Sequence, residues 1–408
     1  MTPSPKASRR EFLATSAAAI GAASTFASAA RLEPKAGPAP ARFKADQTIR
    51  VGLIGVGGRC RDLVHATFAN PANNVKVVAM ADPDQNNVTK MLEQLAKSNA
   101  GKPDVYTGEK DWRDKLLART DVDAVLIAVP CDLHAEMYVA TFAAGKHFYG
   151  EKPMCIELDE VNAIVAAQER NPDVKCQIGF QRRASSWYQH AIKQIHEGMI
   201  GDVFEALGAW RLSGGPLGLP DSGTQIWFGR RQRSGDWMLE QACHTWDVMC
   251  WVAQDMPVAA YGVGKRGLFK HIDPERDVTD FYTATLEFPN GMVLDFEHNW
   301  MCPQFDEEWK FRGIFERFTG PKGGISLGEY PTDATFYPRD GKDKVIKLAE
   351  SFPNTTQESV NAFYKALRDG TQPPSNVKNG RMATLTGLLV RKAVYENRRV
   401  EMKEILGV

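Results

Sequence analysis

Four residues of this 408-residue chain have types and spacing suited to moving a proton. Lys152 stands in Gly150-Glu151-Lys152-Pro153, at the end of the β-rich run KHFYGEKP (146–153). Proline confines the residue before it to extended backbone, so Lys152 projects from a strand end and does not continue into a helix. Glu240, His244 and Asp247 fall at i, i+4 and i+7, which places them on one face of a helix. A carboxylate one turn from an imidazole can set its tautomer, and imidazole suits proton transfer near neutral pH. In isolation, the lysine reads as a solvated turn residue and the histidine as a surface ion pair or a buried structural group. Their neighbours decide otherwise.

The decisive neighbour is a glycine turn. IRVGLIGVG (49–57) runs into Gly55-Val56-Gly57-Gly58-Arg59-Cys60. Without a Cβ at Gly55 and Gly57, the backbone can turn tightly and let a pyrophosphate approach the N–H groups of the following helix, where Gly58 and Arg59 lie. Cys60 replaces the usual third glycine and is small enough to pack there. Asp82 closes the second apolar run, 27 positions after Gly55, where an acid accepts hydrogen bonds from an adenosine ribose. Its charge repels a 2′-phosphate, which favours NAD over NADP. A desolvated lysine beside a cationic nicotinamide would lose its proton more easily than usual, and Lys152 fits proton relay on that ground.

The elements that must hold these residues follow from the apolar pattern. IRVGLIGVG, VKVVAMAD (75–82), DAVLIAVP (123–130) and KHFYGEKP read as strands; NNVTKMLEQLAKS (86–98), DWRDKLLAR (111–119) and HAEMYVATFAAG (134–145) read as helices. Alternation of this kind predicts a doubly wound parallel sheet with helices on both faces. A helix-strand unit follows (ELDEVNAIVAAQER, KCQIGF), then longer strands. DFYTATLEF (280–288) and MVLDFEHNW (292–300) flank Pro289-Asn290-Gly291, a hairpin signal in which Asn-Gly accepts positive φ twice. The fold class is therefore α/β: a dinucleotide-binding domain over 47–153, then an α+β domain over 154–408 with a large open, mainly antiparallel sheet for substrate binding and oligomerisation.

The glycine turn and Lys152 together resemble the Gfo/Idh/MocA family, named for glucose–fructose oxidoreductase and inositol dehydrogenase. The resemblance covers most of the chain after residue 46. Val129-Pro130-Cys131-Asp132-Leu133-His134 is similar to the family's strand-end turn beside the nicotinamide, so Pro130, His134 and Glu151 join the cofactor-facing residues. Gly179-Phe180-Gln181-Arg182-Arg183 looks like the segment that leads into the second domain. Arg182 and Arg183 are candidates to hold substrate hydroxyls or a carboxylate, although paired arginines are more often solvated or domain-bridging. Family members commonly carry Asp-x-x-x-His-x-x-Asp where this chain has Glu240, His244 and Asp247; Asp247 is a further substrate candidate. The resemblance implies a tightly bound nicotinamide dinucleotide and hydride transfer to or from a hydroxyl carbon of a sugar, glycoside or cyclitol. In that scheme His244 exchanges the hydroxyl proton, Lys152 hydrogen-bonds the same oxygen, and Glu240 orients one of them. A glycosidase that uses the dinucleotide transiently, and a binding protein without chemistry, are the two rival readings.

Composition narrows the setting. Fifty basic residues balance fifty acidic ones, so nothing recommends nucleic acid or an anionic membrane as partner. Seven cysteines form no CxxC pair and no zinc spacing, so no metal centre is expected, and most read as small core residues. Residues 1–30 have a charged start with Arg9 and Arg10, a weakly apolar middle and an Ala27-Ser28-Ala29 end. They are similar to a twin-arginine signal, which moves folded proteins, so a periplasmic or otherwise exported protein with no stable membrane anchor is expected. RLEPKAGPAPARFKAD (31–46) reads as a linker or arm. A homo-oligomer through the outer face of the open sheet is also expected, because large apolar faces seldom stay wet.

Overall fold

Five of the six side chains of IRVGLI are buried, as a strand covered on both faces requires. In the computed structural model, which describes residues 42–98, 100–220, 222–305 and 310–408, this strand is central to the first sheet. The expected signal and most of the expected linker lie outside the described residues. The strands are β1 (Ile49–Ile54), β2 (Val75–Ala81), β3 (Asp104–Tyr106), β4 (Ala124–Ile127), β5 (His147–Gly150) and β6 (Cys176–Ile178). They run in the order β3-β2-β1-β4-β5-β6, and every pairing is parallel. The order reverses beside β1, so the carboxyl ends of β1 and β4 open a crevice suited to a ligand.

Three features differ from the sequence reading. Strand β3 was not expected, because Asp-Val-Tyr is too short and too polar to register as an apolar run. The stretch 111–119 forms only a five-residue π-turn, Trp112–Leu116. Its buried side chains sit at 112, 116 and 117, and Leu117 N–H donates to Trp112 O at 3.1 Å, so burial selects the wider turn. The sheet also does not stop at residue 153. The helix Leu158–Arg170 leads to β6, which pairs with β5. The helix Thr355–Asp369 later returns Val360, Phe363, Tyr364 and Leu367 to the core that holds β1.

The second sheet contains β7 (Glu205–Arg211), β8 (Ala259–Arg266), β9 (Thr279–Glu287), β10 (Val293–Asn299), β11 (Gly313–Gly320), β12 (Gly323–Tyr330), β13 (Thr332–Pro338), β14 (Ile346–Lys347) and β15 (Val400–Glu401). Their order is β14-β13-β12-β11-β7-β10-β9-β8-β15, and only β7 and β10 pair in parallel. Strict alternation along β9 and β10 buries Tyr282, Ala284, Leu286, Leu294, Phe296 and His298 on one face. The hairpin between them is a three-residue loop in which only Gly291 has positive φ, at 84°. Phe288 O accepts from Gly291 N–H at 3.0 Å, and Phe288 N–H donates to Met292 O at 2.9 Å. Proline at the first loop position favours a type I turn closed by glycine over the Asn-Gly turn expected.

All seven cysteines are free and buried. No described helix is long and apolar enough to cross a membrane.

Candidate active site

The glycine turn has the backbone that the sequence requires. Gly55 adopts φ +73°, and a Cβ there would lie 2.6 Å from Ala128 O and 2.5 Å from Val129 Cγ1. Gly57 and Gly58 differ: a Cβ on either would meet nothing nearer than 3.9 Å and 3.8 Å respectively. The space over the turn is open. Gly57 caps the helix Gly58–Ala69, no side chain satisfies the cap, and no acid lies in the first turn. Asp82 is buried behind the turn, taking the Val56 N–H at 2.7 Å and the Asp84 N–H at 2.8 Å. An open helix amino end with glycine on its exposed side fits a dinucleotide pyrophosphate, and Asp82 stands where an adenosine ribose would end. Cys60 is fully buried in the adjoining core, and burial pushes its thiol pKa up.

Lys152 lies one residue past the end of Glu151, whose carboxylate links the two halves of the site. Glu151 Oε1 accepts from Arg59 Nε at 2.7 Å, and Oε2 accepts from the Lys152 backbone N–H at 3.1 Å. Arg59 also donates to Thr356 Oγ1 and Gln181 Oε1, both at 3.1 Å, so its guanidinium braces the turn against neighbouring segments. Below the strand end, the Tyr138 hydroxyl donates to Glu151 O. His134 sets Nδ1 2.6 Å from Pro153 O and Nε2 2.9 Å from Val129 O. Burial lowers the His134 pKa, although two carbonyl partners oppose that shift. His134 therefore sits between two backbone carbonyls and, as a neutral imidazole, donates its single N–H to one of them, with Pro130 at the start of the same turn. Tyr138 was missed by the sequence reading; it sits one helical turn from His134 and stacks on it.

Glu240 and His244 do not share one helix. Glu240 ends the short helix Trp237–Glu240, and His244 begins the helix Cys243–Ala253. The break frees Glu240 to face Lys152 alone. Its Oε1 lies 2.7 Å from Lys152 Nζ, and its backbone oxygen accepts from the same nitrogen at 2.5 Å. The pair is nearly sealed, with side chains 16% and 9% exposed. Burial alone would lower the Lys152 pKa, but the Glu240 carboxylate, together with further negative groups that include Glu151, outweighs it, and the pKa is raised. This corrects the expectation of an easily deprotonated lysine. Lys152 is an ammonium with two donors spent on Glu240 and one left over.

His244 is the complementary group. Trp210 stacks on its ring at 6.0 Å and Phe180 meets it edge-on at 6.1 Å. Burial in this aromatic seat, followed by the charges of Lys152, Arg182 and Arg59, holds its pKa well below the usual value. Nδ1 is buried without a hydrogen-bond partner, which leaves Nε2 as the nitrogen able to meet a ligand. A neutral imidazole accepts a proton; the adjacent ammonium stabilises the oxygen that gives it up. Trp210 escaped the sequence reading because its strand is distant and only the fold brings it to His244.

The three substrate candidates are placed otherwise. Arg182 is fully buried and binds Glu316 at 2.6 Å and Glu329 at 3.0 Å. Arg183 Nε donates to both carboxylate oxygens of Asp247 at 2.8 Å. These side chains neutralise one another inside the second domain, as buried charges must, instead of presenting charge to a substrate. Trp237 and Trp246 are core residues whose indole N–H groups donate to Thr279 O and Met238 O, each at 2.7 Å. Tyr149 is likewise buried, against Phe363 and Ser359.

Comparison with known proteins agrees with this fold. Residues 49–180 match the model of an oxidoreductase family with an NAD-binding Rossmann fold, and residues 188–318 match the GFO/IDH/MocA C-terminal domain. The chain is 31% identical over 202 residues to a glycosyl hydrolase family 109 protein of Streptomyces niveus, covering 48% of this chain and 40% of that protein. It spans about half the length of the first curated relatives it matches. It is 23% identical to the myo-inositol 2-dehydrogenase of Thermotoga maritima, over 88% of this chain and all of that one. The structure of aldose-aldose oxidoreductase from Caulobacter crescentus superposes with a TM-score of 0.70 at 18% identity, covering 87% of this chain and 100% of that one. With both domains present in order, the chain belongs to the Gfo/Idh/MocA oxidoreductase family.

Proposed function

We propose that the protein is an NAD(P)-dependent oxidoreductase acting on a hydroxyl carbon of a sugar, glycoside or cyclitol. The observation that carries this reading is a Lys152 ammonium held by Glu240 and close enough to His244 for its charge to help keep that imidazole neutral. Gly57, Gly58 and Asp82 would hold the dinucleotide, with Arg59 and Glu151 bracing the turn. When bound, the nicotinamide supplies a hydride acceptor and donor. His244 Nε2 takes the hydroxyl proton during oxidation and returns it during reduction. The remaining Lys152 donor hydrogen-bonds the same oxygen and stabilises its developing charge, while Glu240 orients Lys152. Mixing nucleotide-loaded protein with a panel of sugars, glycosides and cyclitols tests the proposal. A change at the nicotinamide absorbance band with at least one of them is expected; none with any would refute it.

A hydrolytic reading draws on the likeness to glycosyl hydrolase family 109 proteins. Oxidation beside an anomeric centre acidifies a C–H bond, elimination expels the aglycone alcohol and leaves a double bond, water adds across that bond, and return of the hydride to the ketone restores the sugar. Release of an aryl group without net reduced nucleotide would select it. The binding-protein alternative is disfavoured by the presence of both Lys152 and His244.

The paired Arg9 and Arg10 support export by the twin-arginine route to the periplasm, with the dinucleotide already bound. Outside the cytoplasm the nucleotide must be recycled in place, one substrate oxidised and another reduced, as the name of the aldose-aldose oxidoreductase describes for that protein. The outer face of the second sheet, with Leu207, Tyr261, Val263, Phe281 and Val293 exposed, supports a homo-oligomer.

A further inference from the structure

Gln241 occupies the break between the helices that carry Glu240 and His244. Its backbone N–H donates to Trp237 O at 3.2 Å, and its carbonyl accepts from His244 N–H at 3.1 Å. Its side chain is buried, and two ring nitrogens converge on Oε1: His298 Nε2 at 2.8 Å and Trp300 Nε1 at 2.7 Å. An indole can only donate, so the amide oxygen must face Trp300, and a flipped amide would set N–H against N–H. His298 is fixed in turn. Trp237 stacks on one side of its ring at 5.7 Å and Tyr282 at 5.2 Å, and its Nδ1 is buried without a partner. The protonated nitrogen is therefore Nε2, as the bond to Gln241 requires.

The result is an amide locked through its oxygen with its nitrogen unspent. Among the described residues Gln241 Nε2 donates to no protein group, yet it is not sealed from solvent. The locked oxygen holds the two N–H donors in a fixed direction, on the residue that stands between Glu240 and His244 in the chain. We infer that Gln241 is a specificity-determining residue that donates from Nε2 to a second oxygen of the substrate, distinct from the one that Lys152 and His244 share. This rests on the proposed carbohydrate reading and deepens it: the preferred substrate carries an acceptor oxygen near its reacting hydroxyl, and analogues lacking it are rejected.

Calorimetric titration of protein loaded with the reduced nucleotide, to which an alcohol cannot transfer hydride, with a polyol and its singly deoxygenated analogues tests this without turnover. Gln241→Glu keeps the oxygen that His298 and Trp300 require and removes the donor; Gln241→Met is the second variant should the first not fold. In the wild type, loss of one particular hydroxyl should weaken binding about tenfold or more. In either variant that penalty should vanish, while penalties at other positions and the affinity for NAD persist. Equal penalties at every position in wild type and variant would overturn the inference alone. Nucleotide binding with no binding of any polyol by the wild type would overturn the carbohydrate reading and this inference with it.

Discussion

Lys152 Nζ lies 2.7 Å from Glu240 Oε1, and the same nitrogen also meets the backbone oxygen of Glu240. One residue thus supplies both a charge and a fixed dipole to the lysine at the mouth of the first domain. The pair keeps an ammonium where burial would otherwise favour a neutral amine.

Removal of the charge should reverse that balance. In Glu240→Gln the largest charge that opposes burial is gone, so the Lys152 pKa falls from above its ordinary value toward it. The ammonium is then lost at lower pH. Between about pH 6 and about 10 the wild type should show no loss of kcat/KM from Lys152, because its pKa lies above the ordinary lysine value of about 10.4, whereas Glu240→Gln should lose activity toward the alkaline end. The same flat alkaline profile in both proteins would show that Lys152 does not act as a charged donor.

Acid should destabilise the fold through histidines buried in neutral form. The pKa of His244 lies well below the ordinary value, and burial lowers that of His298 to about 3. Both have depressed folded-state values, so the unfolded chain binds more protons below about pH 6.5, and stability falls as pH falls. His298 should contribute a loss on the order of 1–2 kcal/mol between about pH 6.5 and about 5, and His244 a loss in the same direction. Urea unfolding at both pH values checks this, and His298→Gln should show a smaller loss than wild type.

The glycines of the turn should separate fold from cofactor. Gly55→Ala forces a side chain into positive φ and against Ala128 O, and should lower stability by about 1–3 kcal/mol. Gly57→Ala meets open space and ordinary φ, so its melting temperature should match wild type. Its methyl group stands where the pyrophosphate approaches, and nucleotide affinity should fall about tenfold or more. Thermal melts and nucleotide titrations of both variants distinguish the two effects.

The bound dinucleotide itself is open to a direct check. Protein recovered after export and extensive dialysis should release close to one nucleotide per chain on denaturation, quantified by chromatography. A nucleotide-free protein would contradict transport of a loaded enzyme.

Local residues carried much of this architecture. The near-continuous burial of β1 and the glycine turn after it are properties of short stretches, and they were readable. What was not readable depends on partners far apart in the chain. Lys152 meets Glu240 across 88 positions, and that contact decides its protonation. Arg182 meets Glu316 and Glu329 across 134 and 147 positions, which turns apparent substrate ligands into an interior ion cluster. The spacing of Glu240 and His244 suggested one helix, but the Trp237–Glu240 turn ends before His244 and separates their directions. The strand at Cys176–Ile178 was read, but its place in the first sheet depends on its pairing with β5, which the local pattern does not specify.

The most direct test of the central claim is the single-turnover absorbance change at the nicotinamide band when a substrate polyol is mixed with nucleotide-loaded wild type and Lys152→Ala, with bound nucleotide measured in the same samples. Equal nucleotide occupancy with a change in the wild type, and one slower by about a hundredfold or more in Lys152→Ala, is expected. An equally fast change in both proteins would contradict the role assigned to Lys152 and the site built around it.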